Sequence, residues 1–373
     1  MLSSFDNRKE TSLYIHIPFC SAKCDYCAFY SLVSNKETFD KYTEKLLKEI
    51  DVASSYFKKP WKTVFIGGGN PGMVGPKNLL KIVNAIVRNG KPDEFSIEMN
   101  PETLTKEYFP IFEIVDRLSM GVQSLKETSL TFLGRNSSVK QTLDGIKLSS
   151  QLKIEKSYDL ITCLPGENTT LGDIKMLENL TDFNHLSVYA LTPEKHTPMW
   201  LRKDSLPDND TQYDQLMEIW TALENRGFSH YEVSNFARNG RVCLHNCRYW
   251  QLQQYIGLGS AACSTSLNGN AVRWNGIHSV SDYIHGDLFS TYEREDLSKM
   301  NEIEEYILVS LRTKRGIKKK EFYDRFQIDL PVLDYTGFIN DNTGITVTDK
   351  GLMISDSAAL KLIVKTEKKL RSP

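Results

Sequence analysis

The fold is decided by residues 14–27, YIHIPFCSAKCDYC, in which an apolar β-branched run passes directly into a loop with three cysteines. Cys20, Cys24 and Cys27 have the spacing C-x3-C-x2-C. Seven cysteines in 373 residues are too few, and odd in number, for a secreted disulfide framework. The thiol loop therefore indicates metal binding or redox chemistry.

Three thiolates on one short loop can hold three corners of a [4Fe-4S] cluster and leave the fourth iron open to another ligand. A structural zinc ion is the alternative, and it needs a fourth ligand such as His16 or a distant cysteine. Ordinary ferredoxin spacing supplies a fourth cysteine, which this loop lacks. The loop therefore predicts an iron–sulfur cluster with one vacant corner.

Six short apolar runs alternate with longer amphipathic segments over the first 235 residues. The predicted strands are Ser12 to Ile17, Thr63 to Ile66, Phe95 to Glu98, Arg117 to Val122, Ser157 to Thr162 and His185 to Ala190. Strands that alternate with helices form a parallel sheet with right-handed crossovers. Since no G-x-G-x-x-G fingerprint follows the first strand, we predict an α/β fold built on a partial (β/α)6 parallel barrel.

Chemistry-bearing residues recur where these strands end. The cysteines follow strand one, Gly67–Gly69 follow strand two, Glu98 ends strand three and Gln123 follows strand four. Barrel enzymes place their sites at the carboxyl ends of the strands. Asp159 lies inside strand five, where a charge is costly unless it faces the same cavity and has a partner. We expect one site along this rim.

Three ranges organise the chain: a barrel over 1–235, an extension over 236–279 and a small, mainly helical C-terminal domain over 280–373. The 46 basic and 47 acidic residues give a net charge of -1, which argues against nucleic acid as a partner. No window approaches the length of a transmembrane helix, and no secretion signal precedes the first strand. We therefore expect a cytoplasmic protein.

Several further motifs recur in order along the chain. They are YIHIPFC (14–20), FIGGGNP (65–71), EMNPE (98–102), GVQS (121–124), LGR (133–135), DLI (159–161) with LPG (164–166), and YEVSNFA (231–237). Together with the cysteine triplet they resemble the radical S-adenosylmethionine (radical SAM) family, over nearly the whole chain. The resemblance is greatest to the subgroup that contains oxygen-independent coproporphyrinogen III oxidase and haem chaperones.

The resemblance implies that Cys20, Cys24 and Cys27 hold the cluster and that S-adenosylmethionine chelates the open iron. It also implies that one set of residues contacts this cofactor, namely Tyr14, Tyr26, Gly68, Gly69, Asn70, Glu98, Gln123, Arg135, Asp159, Ala190 and Cys263. The alternatives are a plain tight turn at the glycines and a surface charge at Arg135. Two positions depart from the family pattern: Asn70-Pro71-Gly72 replaces Thr-Pro-Ser, and Ser137 replaces a histidine.

Two features separate the branches of the subgroup. Cys27 is followed by Ala28 and Phe29, where the oxidase has a further cysteine, and only 19 residues precede Cys20, where the oxidase has a long arm. His245 opens the string HNCRYW (245–250), an H-N-x-x-Y-W motif that resembles the haem-binding motif of the chaperones. We therefore expect His245 to be an axial haem ligand, with a packed structural corner as the alternative.

The function expected from this resemblance is a haem chaperone that delivers haem to acceptor haem proteins. A low-potential electron donor such as flavodoxin or ferredoxin would reduce the cluster. Whether the chain also catalyses a reaction stays open. One alternative is coproporphyrinogen III oxidase, which converts propionates to vinyl groups, and another is a radical enzyme with an unrelated substrate.

Overall fold

The structure is a computed structural model that describes residues 1–166, 168–266 and 271–371. The strands are β1 Ser12–Ile17, β2 Thr63–Gly68, β3 Glu94–Met99, β4 Arg117–Gln123, β5 Glu155–Thr162, β6 His185–Ala190, β7 Ser229–His230, β8 Asn235–Ala237, β9 Tyr255–Leu258, β10 Cys263–Ser266, β11 Val272–Gly276, β12 Tyr292–Asp296, β13 Ile317–Lys318, β14 Phe338–Asn340 and β15 Gly344–Val347.

The α-helices are α1 Lys36–Phe57, α2 Pro76–Ile86, α3 Glu127–Phe132, α4 Val139–Ser149, α5 Thr170–Leu180, α6 Asn209–Asn225, α7 Leu244–Trp250, α8 Val280–His285, α9 Lys299–Leu311, α10 Lys319–Phe326, α11 Asp349–Met353 and α12 Ser355–Arg371. Short 3-10 turns cover Leu2–Ser4, Pro71–Val74, Val87–Asn89, Pro101–Thr103, Lys106–Glu113 and Pro198–Ser205.

The six predicted strands form the parallel centre of a twelve-stranded sheet. Strands β1 to β6 pair in chain order, each parallel to the next. The predicted α/β class and parallel sheet are therefore confirmed. Residues such as Ile15 and Ile66, which pair across β1 and β2, are fully buried because helices cover the outer face of the parallel strands.

Helix α1 shows why these crossovers are helical. The Asn35 side chain accepts a hydrogen bond from the backbone N–H of Thr38, which caps the helix N-terminus. Tyr42, Leu46 and Ile50 recur at helical spacing and are fully buried against the sheet. The amphipathic pattern between strands one and two thus places one apolar stripe on the core.

One cavity shows that the sheet curls. Residues from every central strand line it: Tyr14, Phe65, Glu98, Ser119, Asp159 and Tyr189, in the order β1 to β6. Six neighbouring strands can face one enclosed space only if the sheet curves around it. The parallel strands therefore form the wall of a partial barrel.

The sheet continues beyond the parallel centre at both edges. Strand β9 pairs parallel to β1, and β10, β11 and β12 follow as antiparallel neighbours. At the opposite edge β8 and β7 add antiparallel strands to β6. Strand β12 lies within the range assigned to the C-terminal domain, and residues 267–270 of the predicted extension lie outside the described part of the chain. The three domain ranges remain a proposal.

The C-terminal part combines helices with a small sheet. Helix α9 packs against α12, and β13, β15 and β14 form an antiparallel sheet beside them. Ile303, Phe322 and Leu362 from this part belong to the same apolar core as the barrel strands. Across the described ranges, no helix has both the length and the apolar character needed to cross a bilayer.

Candidate functional site

The three cysteines of the loop after β1 line one cavity of about 570 Å³. Backbone hydrogen bonds hold the loop in place: the N–H of Cys27 donates to Cys24 (3.2 Å), and the N–H of Cys20 donates to Leu32 (3.1 Å). Asp25 joins it to the loop after α3, because its N–H donates to the carbonyl of Leu133 (3.1 Å). The backbone thus presents Cys20, Cys24 and Cys27 to a common space.

The three thiols lie on one short loop, where each could bind a different iron of a [4Fe-4S] cluster. Within the described residues, no three His, Cys, Asp or Glu side chains converge on a point where one ion could sit. Zinc needs all its ligands within about 2.3 Å of one centre, whereas a [4Fe-4S] cube takes each thiolate at a different iron. Burial raises the pKa of the Cys20 thiol to about 11 and also raises the pKa of Cys27, so metal binding must displace protons.

Gly68 and Gly69 bring backbone close to the cluster loop. A β-carbon on Gly69 would lie 2.9 Å from Cys20 Sγ, and one on Gly68 would lie 2.7 Å from the ring of His16. Gly68 also has a φ of 115°, which residues other than glycine rarely adopt. The N–H of Gly68 donates to Glu98. The glycines therefore do more than form a turn, since they let the end of β2 form a wall of the cavity.

Arg135 lies inside the site. Its side chain is 6% exposed, so the surface-charge alternative is wrong. The guanidinium donates from Nη2 to the carbonyl of Gly121 (3.0 Å) and from Nη1 to Cys24 Sγ (3.8 Å), and Nη2 lies 3.8 Å from Glu102 Oε2. Its Nε has no partner among the residues described. Arg135 can therefore balance negative charge that develops at the thiolates.

Two carboxyls, Glu98 and Asp159, lie deeper in the barrel. Ser119 donates to both oxygens of Asp159, at 3.3 and 3.1 Å, so the buried group has the partner that its position in β5 requires. Burial, together with the charge of Asp159, raises the pKa of Glu98 to about 8. Burial also raises the pKa of Asp159 to about 6. A positively charged ligand beside them would favour their ionised forms.

The structure brings most of the predicted cofactor residues together. The cavity of the cysteines is also lined by Tyr26, Gly68, Gly69, Glu98, Gln123, Arg135, Asp159 and Ala190. Tyr14 and Cys263 line a second cavity of about 530 Å³, which shares Glu98 and Asp159 with the first. The two cavities are therefore neighbours within one barrel.

Asn70 lines neither cavity. Its side chain is 1% exposed and accepts from the N–H of Gly72 (3.2 Å), while its Nδ2 donates to Thr103 (2.6 Å). These bonds cap the 3-10 turn that begins at Pro71. In this geometry the Asn70 side chain shapes the loop after β2.

His245, at the amino end of β2, lines neither cavity, but its ring contacts Phe65 and Tyr249, which both line the second one. It is 1% exposed, and its Nδ1 lies 2.9 Å from the hydroxyl of Thr63 while its Nε2 lies 2.9 Å from that of Tyr249. Burial lowers its pKa to about 3, so the ring is neutral. Both ring nitrogens are occupied, and iron would have to replace one of these hydrogen bonds. The structure favours the packed-corner alternative for this motif.

Four residues line both cavities but were not predicted as site residues: Ala28, Phe29, Ser119 and Tyr189. Ser119 and Tyr189 lie on β4 and β6, on the face that also carries Asp159. Alternation along those strands was the signal that could have identified them. Phe29 follows the last cluster cysteine and is 70% exposed, which no strand or helix pattern indicates.

Comparisons with known proteins agree with this geometry. A model of the radical SAM superfamily matches residues 14–177. A Lactococcus lactis protein named heme chaperone HemW is 30% identical over 379 residues, which cover 96% of this chain and 98% of that protein. The protein of the same name from Escherichia coli is 37% identical over 261 residues, 67% of this chain and 69% of its own.

A solved structure shows the same fold. Coproporphyrinogen III oxidase (HemN) from Escherichia coli, a radical SAM enzyme, matches with a TM-score of 0.77 over 98% of this chain and 93% of its own, at 19% identity. The superfamily match covers the residues from β1 into α5, which carry the cysteines, the glycines and both carboxyls. Because the Lactococcus protein is similar along almost its entire length, the chain belongs to the HemW family of the radical SAM superfamily.

Proposed function

We propose that this protein is a haem chaperone, which binds haem and passes it to acceptor haem proteins. The observation that carries this proposal is the near full-length similarity to proteins named heme chaperone HemW. The cluster loop supports the same branch, because Ala28 and Phe29 follow Cys27 where the oxidase has a further cysteine. Haem is the cargo in this proposal and not a resident cofactor.

Membership of the radical SAM superfamily implies a [4Fe-4S] cluster and S-adenosylmethionine. The residues fit them: three thiols share a cavity, and Gly69 leaves room that a side chain would fill. Bound together, the two groups supply one-electron chemistry at the cofactor's sulfonium. The chain's own part is to hold them, with Arg135 beside Cys24 and with Glu98 and Asp159 on the side facing the barrel interior.

Coproporphyrinogen III oxidase remains the second candidate. The likeness to HemN is 19% identical and shows the shared fold. The position two after Cys27 is Phe29, where the oxidase has a further cysteine, and this counts against the oxidase. The oxidase activity is therefore the outcome against which the proposal is tested.

Acceptor haem proteins and a low-potential electron donor such as flavodoxin or ferredoxin complete the proposal, with the cytoplasm as its location. The donor is needed because a [4Fe-4S] cluster must be reduced before it can pass on an electron. The cytoplasm is supported by the cysteine content, because seven cysteines in 373 residues are too few, and odd in number, for a secreted disulfide framework.

The decisive experiment is haem transfer from cluster-loaded protein. Protein reconstituted without oxygen and loaded with one equivalent of haem is mixed with an apo haem enzyme, and recovered enzyme activity is followed over time. The proposal expects activity to recover faster than with free haem. Incubation with coproporphyrinogen III and S-adenosylmethionine is the companion assay. Vinyl product over many turnovers, with no haem transfer, would replace the chaperone proposal by the oxidase.

A further inference from the structure

The histidines of the chain differ sharply in what they offer to a haem iron. His16, His185, His230 and His245 are all buried, and each has hydrogen-bond partners at both ring nitrogens. His196, His278 and His285 are exposed. Axial ligation needs a free imidazole nitrogen that the iron can reach. The buried four lack such a nitrogen in this structure.

Among the exposed three, only His278 lines one of the two cavities. It lies between β11 and α8, at the wall of the 530 Å³ cavity that also contains Phe29 and Tyr30. The Nδ1 of His285 already contacts the carbonyl of Ser281 at 2.8 Å, and His196 lines neither cavity. Hydrogen bonds within the described residues leave both ring nitrogens of His278 unoccupied.

The surroundings of His278 suit the face of a porphyrin. Its ring lies 5.2 Å from that of Tyr30, with an angle of 39° between the planes. Phe29, on the same cavity, is 70% exposed, although a ring of this size gains by being covered. Tyr14, Tyr249 and Tyr255 add aromatic surface deeper inside. A cavity of this volume falls within the range that binds compact organic ligands.

The same segment connects this surface to the cluster loop. Residues 28–32 follow Cys27 directly and carry Phe29 and Tyr30. The carbonyl of Tyr30 lies 3.1 Å from His16 Nε2, and its hydroxyl accepts from the N–H of Val280 at 3.2 Å. One short segment therefore touches both the cysteines and the element that carries His278.

We infer that His278 is the axial ligand through which the protein holds its haem, at the mouth of the interior cavity with Phe29 and Tyr30 against the macrocycle. The inference rests on the proposed function. It assigns the haem iron to His278 instead of His245, the ligand that the H-N-x-x-Y-W motif indicates. A ligand at the surface suits delivery, because an acceptor can approach the iron and exchange ligands there. Haem held at His245 would first have to replace its hydrogen bond to Thr63 or to Tyr249.

The test is a titration of cluster-loaded protein with ferric haem, followed by its Soret absorption. The variant His278→Gly removes the imidazole, and His285→Ala is the matched control, an exposed histidine on the adjacent helix. We expect haem affinity to fall at least about tenfold in His278→Gly and to stay unchanged in His285→Ala. Added free imidazole should restore the wild-type Soret band in His278→Gly, because it can occupy the vacated ligand position.

The possible results separate the two proposals. Wild-type affinity and spectrum in His278→Gly would overturn the ligand assignment and leave the chaperone function standing. Equal losses in His278→Gly and His285→Ala, or a loss that imidazole does not reverse, would also overturn the assignment. Failure of the wild-type protein to bind one equivalent of haem would overturn the proposed function and the inference with it.

Discussion

Replacement of His245 by alanine separates a structural histidine from a haem ligand. The ring is 1% exposed, lies 5.3 Å from the ring of Phe65, and contacts the hydroxyls of Thr63 and Tyr249, both at 2.9 Å. Alanine removes both hydrogen bonds and the ring contact. If the motif is a packed corner, the main effect of the substitution will be on the free energy of unfolding.

The expected loss in the free energy of unfolding can be estimated from the hydrogen-bond partners that His245 leaves behind. The Tyr249 hydroxyl is left buried without its hydrogen bond, which costs about 1–3 kcal/mol. Thr63 keeps its bond to Ser12 at 2.8 Å, so its share is closer to 1 kcal/mol. The ring contact with Phe65 adds about 0.5–1.5 kcal/mol. Together these contributions predict that His245→Ala lowers the free energy of unfolding by about 4 kcal/mol.

Urea unfolding and haem titration of the same variant measure the two effects separately. The matched control is Tyr249→Phe, which removes one hydrogen bond and keeps the ring, and we expect it to cost about 1 kcal/mol. Haem affinity of folded His245→Ala should stay within about twofold of the wild type. A variant that unfolds like the wild type but loses haem would refute this reasoning and return the axial ligand to His245.

Three further substitutions test other parts of the structure. Burial raises the pKa of Glu49 to about 7, so the wild type should lose stability as pH rises from 4.5 through 7, by up to about 1.4 kcal/mol per pH unit. Glu49→Gln should remove that dependence. The measurement is the free energy of unfolding in urea at pH 5 and pH 8, and an equal change in the wild type and the variant would contradict the prediction. Cys24→Ser should abolish iron and sulfide incorporation under anaerobic reconstitution while Cys247→Ser retains it; equal iron contents would argue against the cluster loop. Asn70→Ala should lower stability by about 1 kcal/mol without changing the affinity for S-adenosylmethionine, and a tenfold weaker affinity in equilibrium binding would make Asn70 a cofactor contact after all.

The parallel centre was predictable because its strands are buried on both faces. Such strands are short apolar runs bounded by polar residues, and the predicted bounds of β1 and β6 are those observed. The site residues at strand ends followed from the same pattern, since carboxyl ends of parallel strands meet at one rim. Cys20, Glu98 and Arg135 share a cavity as expected.

The antiparallel additions were not predictable in the same way. Strand β9 has four residues, and it is a strand because it pairs with β1, more than two hundred residues earlier in the chain. Local periodicity carries no information about such a partner. The side-chain hydrogen bonds of Asn70 and His245 were not predictable for a related reason: a motif gives residue types, but the partners of their polar atoms come from Thr103, Thr63 and other distant positions.

The shared wall between the two cavities connects the cofactor site to the cavity proposed for haem. Glu98 and Asp159 line both, and their raised pKa values mean that Glu98 is largely protonated at neutral pH. A cationic ligand in one cavity favours the ionised carboxyls, and this places negative charge at the boundary of the other. Segment 28–32 also lies at this boundary, because Phe29 lines both cavities and is two residues from the cluster cysteine Cys27. If cofactor and haem bind as proposed, they contact surfaces that share charged groups and backbone, and we expect occupancy of either site to change the free energy of binding at the other.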